Sequence, residues 1–361
     1  MENTCSPNSE YSKIIKYWLS LSRYAASGGN QQPWRVHINH IDKNRVSLTI
    51  RLDNHLEDSL TDTFGAGSLI SLGCFVATLN AVGASFQIKT EKTSFYCEKN
   101  YWDTYLDLEY LLGSETSIQY KLSTIQGRRT YRGPYKNERI KDELVHLLVY
   151  NLPKRINIYD LSENKDLVSK YVSDTTFIRL TEKYLFNELM NELFKRNNIN
   201  KTGLPIDTLG LSKFSELLIY LIKNNNLFFS HRIYHLASVF ESIQWPLKKT
   251  SHLFYLSSET NEPISWFEIG YNFQNIWYSL SEHGIALQPL ANNLINFNYF
   301  TKKQNYSISD KSKKLLEYWQ NHIKNQINID LIKPGIMFRI GYPKKLMKAS
   351  PRKKLEEIVT F

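Results

Sequence analysis

The sequence predicts an α+β fold, mainly antiparallel sheet covered by many helices, and three observations predict it. Apolar residues alternate strictly at Val36 and Ile38 and again at Val46, Leu48, Ile50 and Leu52, with Asp42 to Asn44 between the runs. That is a β-hairpin with one buried face. Residues 64–88 carry no charge, the pattern of a helix buried on all sides. Long stretches at helical period then alternate with short apolar-alternating ones through the rest of the chain, without a repeat or a low-complexity linker.

In chain order, Ile14, Trp18, Leu21 and Ala25 recur at helical spacing and predict an amphipathic helix over 11–26. A polar turn, Ser27-Gly28-Gly29-Asn30, carries the chain to Pro33 and the hairpin. In the 64–88 stretch Ser68, Ser71, Thr78, Asn80, Ser85 and four glycines dilute the hydrophobicity, and Gly83 reads as a helix stop. A buried core helix is therefore the reading, and a membrane span is not. Leu106, Leu108 and Tyr110 alternate with polar partners as a strand. A second part begins near Ser117 with a helix ending at Gly127. It continues with helices over 138–150, 163–198 and 228–242, strands over 155–161 and 252–256, a long helix over 262–283 capped by Gly284, and a last strand at Ile336, Phe338 and Ile340. Residues 195–226 are poorly patterned, and a loop is expected over 202–207.

A chain of 361 residues with 42% hydrophobic content can bury a full core, as two domains or one large one. The formal charge of +10 asks for an anionic partner, but Lys and Arg are spread along the whole length. Only Lys344, Lys345, Lys348, Arg352, Lys353 and Lys354 cluster, and they read as a solvated face rather than a nucleic-acid patch. A phosphate-bearing small molecule fits the charge equally well. Cys5, Cys74 and Cys97 form no CxxC pair, which argues against a disulfide framework or zinc site and for a reducing compartment, the cytoplasm. No signal-peptide pattern opens the sequence.

Side-chain catalysis has no clear signature. No P-loop, GxGxxG, GxSxG or HExxH pattern occurs. His231 and His235 are four apart, but no third metal ligand follows nearby, so the spacing reads as chance. Cys74 reads as a small buried hydrophobe.

Two segments carry polar chemistry. In Arg23-Tyr24-Ala25-Ala26-Ser27-Gly28-Gly29-Asn30-Gln31-Gln32-Pro33-Trp34, small residues allow a ligand close to the backbone, and Ser27, Asn30 and Gln32 offer donors and acceptors for a polyol or a heteroaromatic edge. A helix end and turn explain the same residues equally well. In Arg128-Arg129-Thr130-Tyr131-Arg132-Gly133-Pro134-Tyr135, three guanidiniums and a hydroxyl can clamp a phosphate, although an exposed basic loop is an equal alternative.

Together the two resemble the nitroreductase superfamily. The first is similar to its "PSxxNxQPW" signature and the second to its "RxSxRxF" phosphate signature, with Ala26 where Pro is usual and Tyr135 where Phe is common. The order of the two is reversed relative to ordinary members, which resembles the Acg-like branch, whose single chain is a twin of nitroreductase-like halves. Stretches at 202–210, 284–289, 334–343 and 350–352 extend the resemblance along nearly the whole chain. It implies a nitroreductase-like fold of two pseudo-repeated halves, 1–116 and 117–361, and one bound FMN. It places Arg128, Thr130 and Arg132 on the flavin phosphate, joined by Arg352, with Arg129 turned to solvent. Ser27, Asn30 and Gln32 are expected to face the ribityl chain and ring, and the backbone of Gly284, Ile285 and Ala286 to approach flavin N5 and O4.

The implied function is an FMN-dependent oxidoreductase that passes hydride from NAD(P)H through flavin N5 to an unidentified small-molecule acceptor, with nitroaromatics or quinones as surrogates. The cofactor does the chemistry, so no catalytic side chain and no metal are expected. The alternatives are FMN storage without turnover, with 195–226 as a lid, and a flavin-dependent dehydrogenase of a peptide or natural product. A monomer with an internal pseudo-dimer or a homodimer is expected, without nucleic-acid or membrane partners.

Overall fold

The computed structural model describes residues 10–42, 44–56, 59–98, 100–116, 120–146, 148, 152–194, 196, 202–224, 239, 243–301 and 307–360. Helix α1 (Glu10–Ser22) leads to the hairpin β1 (Trp34–Ile41) and β2 (Arg45–Leu52), then to helix α2 (Ala66–Ala84) and strands β3 (Ile88–Cys97) and β4 (Thr104–Leu112). Two short helices, α3 (Leu122–Gly127) and α4 (Asp142–His146), precede β5 (Ile156–Asp160). Helices α5 (Lys165–Thr181) and α6 (Lys183–Glu192) follow, then the short pair β6 (Leu193–Phe194) and β7 (Leu204–Pro205), helix α7 (Lys213–Asn224) and helix α8 (Trp245–Lys248). The chain closes with β8 (His252–Ser258), α9 (Pro263–Glu282), β9 (Ala286–Leu290), α10 (Asn293–Thr301), α11 (Asp310–Ile327), β10 (Gly335–Gly341) and β11 (Val359–Thr360).

The expected α+β class is borne out. One sheet runs β11-β1-β2-β4-β3 and another β5-β8-β10-β9. Both are antiparallel except where β11 joins β1 in parallel, Val36 opposite Val359. The end of the chain therefore completes the sheet built by its beginning. In the hairpin Val36 faces Ile50 and Ile38 faces Leu48, so the alternation seen in the sequence becomes one buried face.

Helix α2 is long and apolar enough to cross a membrane, yet 89% of its apolar window is buried within the protein, as a core helix should be. It meets α9 backbone to backbone. A Cβ on Gly73 would stand 1.9 Å from the Phe267 carbonyl oxygen, and one on Gly270 1.9 Å from that of Ile70. Only hydrogen atoms fit at that crossing, and the Cys74 thiol donates to the Gly270 carbonyl across it at 3.2 Å. The seam unites the two sheets around one core that includes Trp34, Phe75, Trp266, Trp277 and Phe338.

Some expected boundaries move. The helix expected over 163–198 breaks at Glu182, whose backbone is extended and whose carboxylate accepts from Ser309 N, Ser309 Oγ and Ser312 Oγ at the start of α11. A distant cap overrides the local helical pattern there. The first helix ends at Ser22, and helix α7 forms within the poorly patterned 195–226 region. Of the helix expected over 228–242 only Val239 is described, so His231 and His235 lie outside the described residues, as do Cys5 and residues 117–119.

Candidate functional site

The turn after α1 sets the site. Gly29, Asn30 and Gln32 take positive φ of 54°, 56° and 53°. Glycine adopts that region freely, whereas asparagine and still more glutamine need help. The help comes from the far end of the chain. Asn30 Nδ2 donates to the Pro351 carbonyl (3.0 Å) and the Gly203 carbonyl (3.1 Å), and Asn30 Oδ1 accepts from Arg352. Gln32 Nε2 donates to the Asn30 carbonyl (3.2 Å), and Gln32 Oε1 accepts from the Lys353 amide (2.9 Å). Ser27 Oγ accepts from the Gln32 amide at 3.1 Å. The loop is thus a clip for the tail.

The clip brings Arg352 beside Arg128. Both guanidiniums donate to the Tyr24 carbonyl, Arg128 at 3.1 Å and Arg352 at 3.4 Å. Arg128, 8% exposed, also lies over the Trp277 ring at 4.3 Å. Neither Arg128 nor Arg352 has a carboxylate partner among the described residues, and the Nε of each is buried without a hydrogen-bond partner. Burial, then the neighbouring Arg128, pushes Arg352 down to about 9, and burial likewise lowers Arg128. Both remain charged at pH 7.

Arg339 shows what a satisfied buried guanidinium looks like here. It donates to Gln288 Oε1, Pro246 O, Thr250 Oγ1, Gly133 O and Tyr131 O, which occupies all five of its N–H groups. By that standard Arg128 and Arg352 are incompletely satisfied.

A cavity of about 1110 Å³ opens at this pair. Ser27, Asn30, Arg128, Thr130, Arg132 and Arg352 all line it, so the structure gathers six of the residues singled out in the sequence. Arg132 turns to the Thr208 carbonyl (2.9 Å) and is lowered to about 10 by burial alone. It sits on the wall without joining the Arg128–Arg352 pair. Thr130 bridges to Leu287 of β9. Arg129 folds back onto the Gly127 carbonyl and also reaches the cavity.

Four expected contributors stand elsewhere or act differently. Gln32 is fully buried behind the loop and does not line the cavity. Gly284 is exposed, Ile285 is in the core, and Ala286 packs on Tyr131, Tyr135 and Met347. The part of that segment that lines the cavity is 288–292, several residues farther on.

The sequence reading missed three things. Tyr24 supplies its carbonyl to both arginines, although it lies inside the segment already singled out. Helix α6 lines the cavity with Tyr184 and with Phe186 to Glu192. Asp62 lines the same cavity, accepts from Gly67 N (2.7 Å), Ser68 N (2.8 Å) and Ser68 Oγ (2.7 Å) at the start of α2, and is raised to about 7 by burial, with Glu188 adding to the shift. No spacing in the sequence marks either carboxylate. Among the described residues no group of three His, Cys, Asp or Glu could hold a metal ion.

No protein-family model matches this chain, and no curated protein matches it. Solved structures do. The likeness is to nitroreductases. The FMN-dependent nitroreductase NfnB from Mycobacterium smegmatis in complex with NADPH is 13% identical, with 66% of this chain and 96% of that one covered at a TM-score of 0.38. The FMN and NADPH-dependent nitroreductase NfnB from sphigopyxis sp. strain HMH is 13% identical, covering 66% and 97% at 0.37. Oxidized iodotyrosine deiodinase bound to FMN and 3-iodo-L-tyrosine is 15% identical, covering 64% and 94% at 0.30.

Proposed function

We propose that this chain binds one FMN in the cavity and acts as an FMN-dependent oxidoreductase, taking two electrons from NAD(P)H and giving them to a small-molecule acceptor. One observation carries the reading: two adjacent buried guanidiniums, Arg128 and Arg352, share one carbonyl and have no counter-anion. Burying two like charges costs several kcal/mol unless an anion joins them, and a phosphate monoester matches their forked geometry.

The rest of the cavity fits the rest of the cofactor. Its volume of about 1110 Å³ lies just above the usual range of small-molecule sites. Ser27 and Thr130 offer hydroxyls near the arginines for a polyol chain, while Ile70, Phe273, Trp277, Leu290 and Ile336 offer apolar surface for a planar ring. FMN, when bound, would supply the redox chemistry. The chain's residues hold and enclose it, and Asp62 can keep a proton at the cavity wall near neutral pH. The nicotinamide donor follows from the resemblance of 23–34 and 128–135 to the nitroreductase signatures. Cytoplasmic placement agrees with the free Cys74 and Cys97, and the α2–α9 seam suits an internal pseudo-dimer complete in one chain.

An absorbance spectrum tests the reading. Protein mixed with FMN and freed of excess should keep a flavin spectrum that bleaches on anaerobic addition of NADPH. Protein that retains no FMN sinks the proposal. FMN storage is the second reading, favoured by the way α6 and residues 202–211 of the chain itself wall the cavity. Retained flavin that NADPH never bleaches would select it.

A further inference from the structure

Three segments far apart in sequence meet at Asn30. Its Oδ1 accepts from Arg352, and its Nδ2 donates to Pro351 in the tail and to Gly203 in the segment that walls the cavity. That walling segment is tied to the tail a second time. Asp207 accepts from Arg196 through Nε and an η nitrogen, both at 2.9 Å, and from Lys348 Nζ at 2.9 Å, while Arg196 donates to the Ala349 carbonyl at 3.0 Å. Arg132 holds the Thr208 carbonyl on its far side.

We propose that Asn30 is a positioning residue that couples anion occupancy beside Arg128 and Arg352 to closure of residues 202–211 over the cavity. Without an anion the two buried guanidiniums repel each other, and because Arg128 lies over the Trp277 ring, the side chain that gives way is that of Arg352, held by Asn30 and the Tyr24 carbonyl. Its departure takes away the acceptor contact of Asn30 and loosens Pro351, Ala349 and Lys348, which in turn frees Gly203 and Asp207. An anion reverses each step: it offsets the repulsion, seats Arg352, orders Asn30 and pins the walling segment. The cofactor's own phosphate would then shut the site behind it. This rests on the FMN reading for the identity of the anion, but the coupling itself needs only an anion.

Hydrogen–deuterium exchange on the full-length protein tests it, with buffer alone, FMN, riboflavin or inorganic phosphate as the arms. Riboflavin has the ring and chain of FMN and lacks only the phosphate. FMN and inorganic phosphate should slow exchange in both 348–353 and 202–211 by about tenfold, the worth of one or two hydrogen bonds, and riboflavin should not. The decisive variant is Asn30→Gly, because glycine keeps the positive φ of 56° without strain and deletes only the side chain. It should still take up FMN, with affinity lowered about tenfold and riboflavin affinity unchanged, while FMN no longer slows exchange at 202–211.

The coupling is wrong if FMN binds the native protein and 202–211 exchanges as before, if riboflavin protects as well as FMN does, or if Asn30→Gly retains the full protection. Those results leave the flavin reading standing. Failure of the native protein to take up FMN overturns the flavin reading instead. In that case protection by inorganic phosphate sustains the coupling and its absence overturns it.

Discussion

Replacing Arg128 by methionine should make the FMN-free protein more stable and FMN binding much weaker. The side chain is 8% exposed and uses one hydrogen bond, to the Tyr24 carbonyl, and one ring contact, with Trp277. Losing that hydrogen bond removes roughly 1.5 kcal/mol, and losing the cation–π contact removes about 1 kcal/mol. The Tyr24 carbonyl keeps its bond from Arg352 and is not orphaned. Against these losses stands relief from burying a guanidinium that has no carboxylate partner, on the order of 4 kcal/mol. Methionine retains most of the stem's packing. The net gain is about 1–2 kcal/mol.

At an unfolding entropy of about 2.1 cal/mol/K per residue, a chain of 361 residues shifts its Tm by roughly 1.3 °C per kcal/mol. A rise of about 1–3 °C is therefore expected without FMN, read by differential scanning calorimetry. With FMN the lost charge-assisted bonds should weaken affinity by roughly 30- to 150-fold, so the variant should gain much less from saturating cofactor. Arg339→Met is the control. It would leave Gln288 Oε1 and the Gly133 carbonyl without their buried donor, and should lower the Tm by at least about 4 °C with or without FMN. If Arg128→Met lowers the FMN-free Tm as Arg339→Met does, Arg128 is a structural arginine and the argument for an anion site is refuted.

The protonation of Asp62 gives the native protein a falling stability profile. Its folded value near 7 lies above its ordinary 3.8, so the stability it contributes is complete below about pH 4 and is lost as pH rises through 7. Discounted for partial exposure and surviving hydrogen bonds, that is about 2 kcal/mol. Asp62→Asn should flatten the Tm between pH 4 and 7, and an unchanged slope would clear Asp62 of the effect. At the seam, Gly270→Ala should cost at least about 3 kcal/mol in urea denaturation, because the methyl group would meet the Ile70 carbonyl at 1.9 Å; a neutral result would mean that α2 and α9 can part easily. The Cys74 thiol, buried and pushed up to about 12 by that burial, should resist iodoacetamide at pH 8 in the native protein and react once it is unfolded. Rapid native alkylation, mapped by mass spectrometry, would contradict the buried placement.

Much of the fold was legible because the signals were local. The hairpin at 34–52, the uncharged α2 and the long α9 each carry their own period, and all three appear where the pattern puts them. The break at Glu182 was not legible, since the serines it caps are more than a hundred residues away. Nor was β11, whose two residues form a strand only because β1 offers a free edge. Helix α7 is amphipathic over its own twelve residues and was legible locally, although Phe214, Leu217 and Leu221 stand exposed on it.

The site itself divides along the same line. Arg128 and Arg352 could be picked out by type, because few residues other than arginine clamp a phosphate in this way. Asn30 and Gln32 were picked out by motif, and a motif says that residues belong together without saying what they touch. In the sequence they read as ligands of a ring and a polyol. In the fold Gln32 holds the Lys353 amide, and Asn30 joins Arg352, Pro351 and Gly203. Both are bound to the chain itself, and their chemistry is the same in either role, a planar amide with a donor and an acceptor side. What distinguishes the roles is distance along the chain: Asn30 and Arg352 are 322 residues apart, and no local pattern reports a contact that long. A pair of signatures can therefore single out residues that meet at one cavity, while the fold alone decides which of them line it and which are turned to another part of the protein.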